Sequence, residues 1–185
     1  GRDVAYEILN QHGLSDVQIY EVKGHLSDHY NPSNLTLNLS SEIYHGTSIA
    51  SLAVAAHECG HALQHQEGYK PLTFRNMIVP VCNISQTIGW IAILLGLFIG
   101  KSSISWLGVL LMSLMLLFQI VTLPVEFDAS SRALSILNDR YLTEDEYPGA
   151  KKMLTAAALT YVAAMLSTLL SLLRIVLMVM SRDRD

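Results

Sequence analysis

The spacing of apolar and polar residues along the chain changes character twice. Between Asp3 and Gln11 the apolar residues Val4, Ile8 and Leu9 recur at helical spacing, and Gly13 stands where such a helix would stop. A short amphipathic helix is predicted there. Val17 to Val22 is β-branched and partly alternating, and Leu35, Leu37 and Leu39 alternate with Asn34, Thr36, Asn38 and Ser40. Both runs predict strands, with a turn between them at Asn31-Pro32-Ser33-Asn34. The period of two then gives way to 3.6. From Thr47 or Ser48 as N-cap, Ile49 to Gln66 places residues 49, 52, 53, 56, 60 and 63 on one side, which predicts a helix. Strands followed by a helix make a small α+β unit over residues 1–76.

The surplus of apolar residues is concentrated after residue 77. Val81 to Gly100 carries no charge, and Trp106 to Leu123 is again uncharged, with Ser113, Gln119 and Thr122 as its polar side chains. About 20 such residues cross a bilayer. Met153 to Met180 is a third candidate span, interrupted by Arg174, which is able to snorkel toward the nearer interface. A chain of 185 residues cannot wrap three such helices in soluble structure. The expected organisation is therefore an α+β part at 1–76, a transmembrane hairpin at 77–123, a Glu-bearing helix and loop at 124–152, and a third transmembrane helix at 153–180. The whole is mostly α.

Composition agrees with that division. Hydrophobic residues make up 51% of the chain and charged residues 15%, against about 25% in ordinary soluble proteins, so a disordered protein is excluded. A net charge of −4 leaves no basic excess for phosphates, and no nucleic-acid partner is expected. Cys59 and Cys82 are too few for a disulfide framework. The first residue is Gly1 rather than Met, which leaves room for a segment upstream.

All seven histidines precede residue 66, and two of them carry the strongest chemical signal. His57-Glu58-Cys59-Gly60-His61 is an H-E-x-x-H match inside the predicted helix. Residues four apart share a helix face, so both imidazoles can reach one Zn²⁺, while Glu58 on the rim can take a proton from a metal-activated water as general base. A catalytic zinc usually takes three protein ligands. His65 repeats the four-residue step, but eight helical residues put it about 12 Å from His57, too far to share the ion. It reads as a solvated helix-end histidine. The metzincin continuation is absent, since its Gly and His positions hold Gln64 and Glu67. Glu126 is the better third ligand: it directly follows the second span, where a hairpin of two membrane helices returns the chain to the side it left. The bland alternative is an interfacial acid near a helix start.

An H-E-x-x-H helix, a transmembrane hairpin and a Glu-led helix together resemble the gluzincin membrane metallopeptidases of the HtpX and CAAX-protease type. The wording is closer to the YugP-like neutral zinc metallopeptidases of bacterial membranes, on Leu26 to Pro32, Val54 to Gln64, Val125 to Leu134 and Ala157 to Ala163. The resemblance covers nearly the whole chain. It implies a zincin-like α+β catalytic unit joined to integral-membrane helices, and a zinc-dependent endopeptidase of the bacterial plasma membrane. Gluzincins often place an Asp four residues after the ligand Glu to orient the first His, and that position is Ser130 in this chain. Asp128 would face away on a regular helix. Ser130 or a carboxylate from elsewhere must then support the ligands.

Further candidates carry two readings each. Asp28 and His29, in the polar stretch before the Leu35 to Leu39 strand, orient a ligand or bind substrate, or else Asp28 simply closes a turn. The 35–39 strand is a candidate edge for backbone pairing with substrate, or ordinary core. Tyr161 is a candidate oxyanion donor, or an interfacial anchor. Three N-x-S/T matches, at Asn34, Asn38 and Asn83, carry no weight without a secretory context. Lys70, Arg75, Arg132, Lys151 and Lys152 on the domain side outnumber Lys101, Arg182 and Arg184 opposite, which weakly favours a cytoplasmic active site in a multi-pass protein. Two function classes remain. One is an integral-membrane zinc endopeptidase with His57, His61 and Glu126 as ligands, Glu58 as base and a protein or peptide as substrate, membrane proteins included. The other is a noncatalytic zinc-stabilised membrane adaptor. A site-2-type intramembrane protease lacks its second ligand motif in this chain. The sequence does not fix an oligomeric state.

Overall fold

The computed structural model describes residues 1–182, so Arg184, counted above among the membrane-flanking cations, lies outside the described residues. About 76% of the described residues are helical, and among them are one three-stranded sheet and three helices long and apolar enough to cross a membrane. The elements run α1 (Arg2–Gln11), β1 (Gln18–Val22), β2 (His29–Asn31), β3 (Thr36–Ser40), α2 (Ser41–His45), α3 (Ile49–Gln66), α4 (Lys70–Ile99), α5 (Ser102–Arg140) and α6 (Tyr147–Arg182). Packing divides them into two units, one of residues 1–72 and 125–159, the other of residues 73–124 and 160–185.

In the first unit, α1 ends where expected, with Gly13 at φ +72°, a conformation that costs glycine little. Helix α3 starts at Ser48, whose hydroxyl accepts the Ser51 backbone N–H and so satisfies one of the orphan donors of the first turn. The sheet order is β1-β3-β2, with β1 parallel and β2 antiparallel to β3. The predicted strands are therefore not a hairpin pair. The turn at residues 32–35 instead joins β3 to β2, and Leu35 belongs to that turn, at φ +54°, rather than to the strand. Being central, β3 buries Leu37 and Leu39 completely and has both of its backbone edges occupied. Its role as a substrate-pairing edge is ruled out, because no ladder donor or acceptor is left open. The core joins Ala5, Ile8 and Leu9 of α1 and Leu37 and Leu39 of β3 to Ala53, Ala56, Cys59 and Ala62 of α3. Ala133 and Leu137 of α5 and Ala150 and Leu154 of α6 close it.

Small residues let α3 and α5 approach closely. A Cβ built on Gly60 would stand 2.7 Å from the Ala129 carbonyl oxygen, so glycine is needed inside the H-E-x-x-H sequence itself. Thr143 and Glu146 cap the entry to α6: the Glu146 carboxylate accepts both the backbone N–H and the hydroxyl of Thr143, at 2.9 and 3.0 Å.

The second unit is built differently. The apolar part of α4 and the start of α5 pair antiparallel across the Gly100-Lys101 turn through small residues: Gly96 faces Ser105, and Gly89 faces Gly108 and Met112. Such contacts bring helix backbones together where there is no water to drive association. Its core holds Ile93, Val109, Met112, Leu172, Ile175 and Val179. Most of its other large apolar side chains point outward, Phe98 at 91% and Leu170 at 67% exposure among them.

Candidate metal centre

Helix α3 and helix α5 supply the three candidate ligands, all within the first unit. His57 and His61 sit one turn apart on α3, their rings edge to face with centroids 4.8 Å apart. Glu126 of α5 lies between them. Its Oε2 is 3.3 Å from His57 Nε2 and 3.6 Å from His61 Nε2, and its side chain is 3% exposed. Ligand atoms around a tetrahedral zinc with bonds of 2.0–2.1 Å stand about 3.3 Å apart, close to the separation of the carboxylate oxygen from each imidazole nitrogen. Among the described residues this is the group whose donor atoms all lie within 4.8 Å of one another. Two imidazole nitrogens and one carboxylate oxygen are donors that suit a zinc ion.

Each ring is held from its far side. Ser130 Oγ lies 3.2 Å from His57 Nδ1, so the residue standing where gluzincins often have Asp does contact the first histidine. His61 Nδ1 donates to Gln64 Oε1 at 3.0 Å. Burial alone would lower the His61 imidazole, but Glu126 and Glu58 outweigh it and raise the ring above the ordinary histidine value. The Cys59 thiol, packed between the two histidines along the chain, is pushed up by complete burial and is inert core.

Glu58 is also buried, and its Oε2 accepts the backbone N–H of Tyr30 at 2.9 Å. Tyr30 lies on β2, whose one side pairs with β3, so the open edge of the sheet touches the H-E-x-x-H helix at the glutamate. The Tyr30 hydroxyl meets His65 Nδ1 at 2.9 Å, which gives His65 a partner on that strand and no part in the metal group.

The remaining candidates are spread out. Asp28 neither closes a turn nor orients a ligand: it accepts the Ser40 N–H at 2.7 Å and the Ser40 hydroxyl at 3.0 Å, pinning the approach to β2 onto the end of β3. His29 is exposed and donates from Nδ1 to the Ser27 carbonyl. Asp128 does turn away from His57, but it meets Gln64, whose Nε2 donates to Asp128 Oδ2 and to the Val125 carbonyl, both at 2.8 Å. Tyr161 belongs to the second unit and is 39% exposed. Gln64, Arg132, Glu67 and the Tyr30 amide were not singled out as functional from sequence. Only Gln64 and Glu67 carried a signal, as departures from the metzincin pattern.

Residues 1–180 match the family described as "putative neutral zinc metallopeptidase". The chain is 45% identical to a Bacillus subtilis (strain 168) protein named "Putative membrane protease YugP", over 186 residues that cover 100% of this chain and 82% of that protein. No solved structure matches it. With a family match over nearly its full length and a relative 45% identical across the whole chain, the protein belongs to this family.

Proposed function

We propose that the protein is a multi-pass, zinc-dependent endopeptidase of the bacterial plasma membrane, with a zincin-like site facing the cytoplasm and protein or peptide substrates. The observation that carries this reading is Glu58: it follows one ligand of a three-ligand cluster, where a purely structural zinc would have no use for a carboxylate. That disfavours the adaptor.

His57, His61 and Glu126 would hold the ion. Zinc, when bound, supplies a Lewis acid that activates water and polarises the scissile carbonyl. Ser130 and Gln64 keep the two rings turned toward Glu126. The Tyr30 N–H occupies one oxygen of Glu58 and leaves the other free for the attacking water. Glu58 takes the water's proton and delivers it to the leaving amine nitrogen, ending as it began. Tyr161 serves as an interfacial anchor.

The test is metal content. The chain purified without chelator should hold about one zinc per molecule, and Glu126→Gln should lose zinc or proteolysis while keeping its circular dichroism spectrum. A wild-type chain without zinc refutes the proposal. An active Glu126→Gln moves the third ligand elsewhere.

A further inference from the structure

Gln64 is completely buried and has every polar atom committed. Its two amide protons go to acceptors on α5: the Val125 carbonyl and the Asp128 carboxylate, each at 2.8 Å. Neither acceptor can donate, so the NH₂ end must face them and Oε1 must face α3. There Oε1 meets His61 Nδ1 at 3.0 Å, and because Oε1 only accepts, the ring must carry its proton on Nδ1. Nε2, the atom 3.6 Å from Glu126, is thereby the lone pair offered to a metal.

The same amide reaches the third ligand's own helix segment. Val125 precedes Glu126, and Asp128 follows it by two residues, so Gln64 grips α5 on both sides of the carboxylate. Asp128 is fixed in turn by Arg132, whose Nε donates to Oδ2 at 2.6 Å while its other end meets Glu67 at 2.8 Å. Glu67 is the C-cap of α3. Gln64 and Glu67 on one helix and Val125, Asp128 and Arg132 on the other close a ring of hydrogen bonds and ion pairs beside the metal ligands.

We infer that Gln64 is a positioning residue that sets His61 and Glu126 together, fixing the ring's tautomer and the separation of the two ligands in one contact. This rests on the metal reading above and adds to it the device that holds the ligand set in register. It makes a charge-specific prediction. Gln64→Glu keeps an acceptor for His61 but turns a carboxylate on two acceptors, whereas adding Asp128→Asn restores a donor where one is needed.

The experiment measures Zn²⁺ affinity of the full chain by chelator competition, together with the visible spectrum of the Co²⁺-substituted protein. Gln64→Leu and Gln64→Glu should each weaken zinc binding by about 10- to 100-fold and alter the Co²⁺ bands. Asp128→Asn should weaken binding alone yet recover about tenfold when added to Gln64→Glu, a coupling that general loss of packing would not give. Where Gln64→Leu fails to fold, the Gln64→Glu and Asp128→Asn pair carries the test. Equal zinc affinity in wild type and all Gln64 variants, or no recovery in the double variant, overturns the clamp while leaving the metal site standing. A wild type that binds no zinc overturns both.

Discussion

The two units of this chain sort the same kinds of side chain in opposite directions. In residues 1–72 and 125–159, Ile8, Leu9, Leu37, Leu39 and Leu137 are fully inside, and polar groups that share the interior, Glu58, Gln64 and Glu126 among them, are hydrogen-bonded. In the other unit Leu94, Phe98, Leu110, Leu170 and Leu177 are all more than 60% exposed, and close contacts are made by glycine and serine. In water the second arrangement would leave a contiguous apolar surface far larger than soluble proteins carry. In lipid it costs nothing, since acyl chains are as apolar as leucine. One unit is thus built to exclude water from a polar site, the other to do without water altogether.

The largest change should come from the first unit's interior. Leu37→Ala removes a fully buried side chain from the central strand and should cost about 2–5 kcal/mol in chemical denaturation; a loss below 1 kcal/mol would mean the β3 core is not as packed as described. Leu170→Lys tests the other side of the comparison. A lysine near the middle of a span costs about 2.5–3.5 kcal/mol of insertion, so α6 should insert poorly in a membrane-integration assay, while Leu170→Ala has little effect. Normal insertion of the lysine variant would place that face of α6 in water.

Next in size is Gly60→Ala. Its Cβ would lie 2.7 Å from a backbone oxygen of α5, which no side-chain rotation relieves, so α3 and α5 must separate at a cost of about 1–3 kcal/mol. Zinc affinity should fall with the melting temperature; an unchanged affinity would separate helix spacing from ligand geometry.

How much of this was legible depended on whether a feature repeats along the chain. His57 and His61 announce themselves because helical periodicity alone puts them together, and the apolar runs flag the spans by length. Glu126 was reachable from the hairpin that returns the chain. The three residues of β2 carry no alternation to detect, so the strand touching Glu58 is invisible in the sequence, and the alternating leucines of β3 fit an edge or a core strand equally well. The helix α5 runs on through Pro124, where the second predicted span ends, despite the lost hydrogen bond and the crowding an interior proline brings. The ring of Gln64, Asp128, Arg132 and Glu67 depends on which faces of two helices meet, and neither helix records that on its own.

The smallest effect concerns the cap of α6. Glu146 is held below its ordinary value of 4.5 by the Thr143 backbone and hydroxyl. A carboxylate depressed in the folded state stabilises above its unfolded value and loses that contribution as pH falls through the folded one. Thr143→Ala should therefore melt slightly lower than wild type at pH 7, and the difference should shrink as pH drops below about 4.5. A gap that persists at low pH would deny Glu146 its part in the cap.

The central claim, that the polar unit is a hydrolytic zinc site, rests on Glu58. Zinc content and cleavage of an unfolded membrane-protein substrate should be measured side by side in wild type and Glu58→Gln. With three ligands intact the variant should keep its zinc, while cleavage falls by about 10²-fold or more for want of a proton acceptor. A variant that retains zinc and cleaves as fast as wild type would contradict the account.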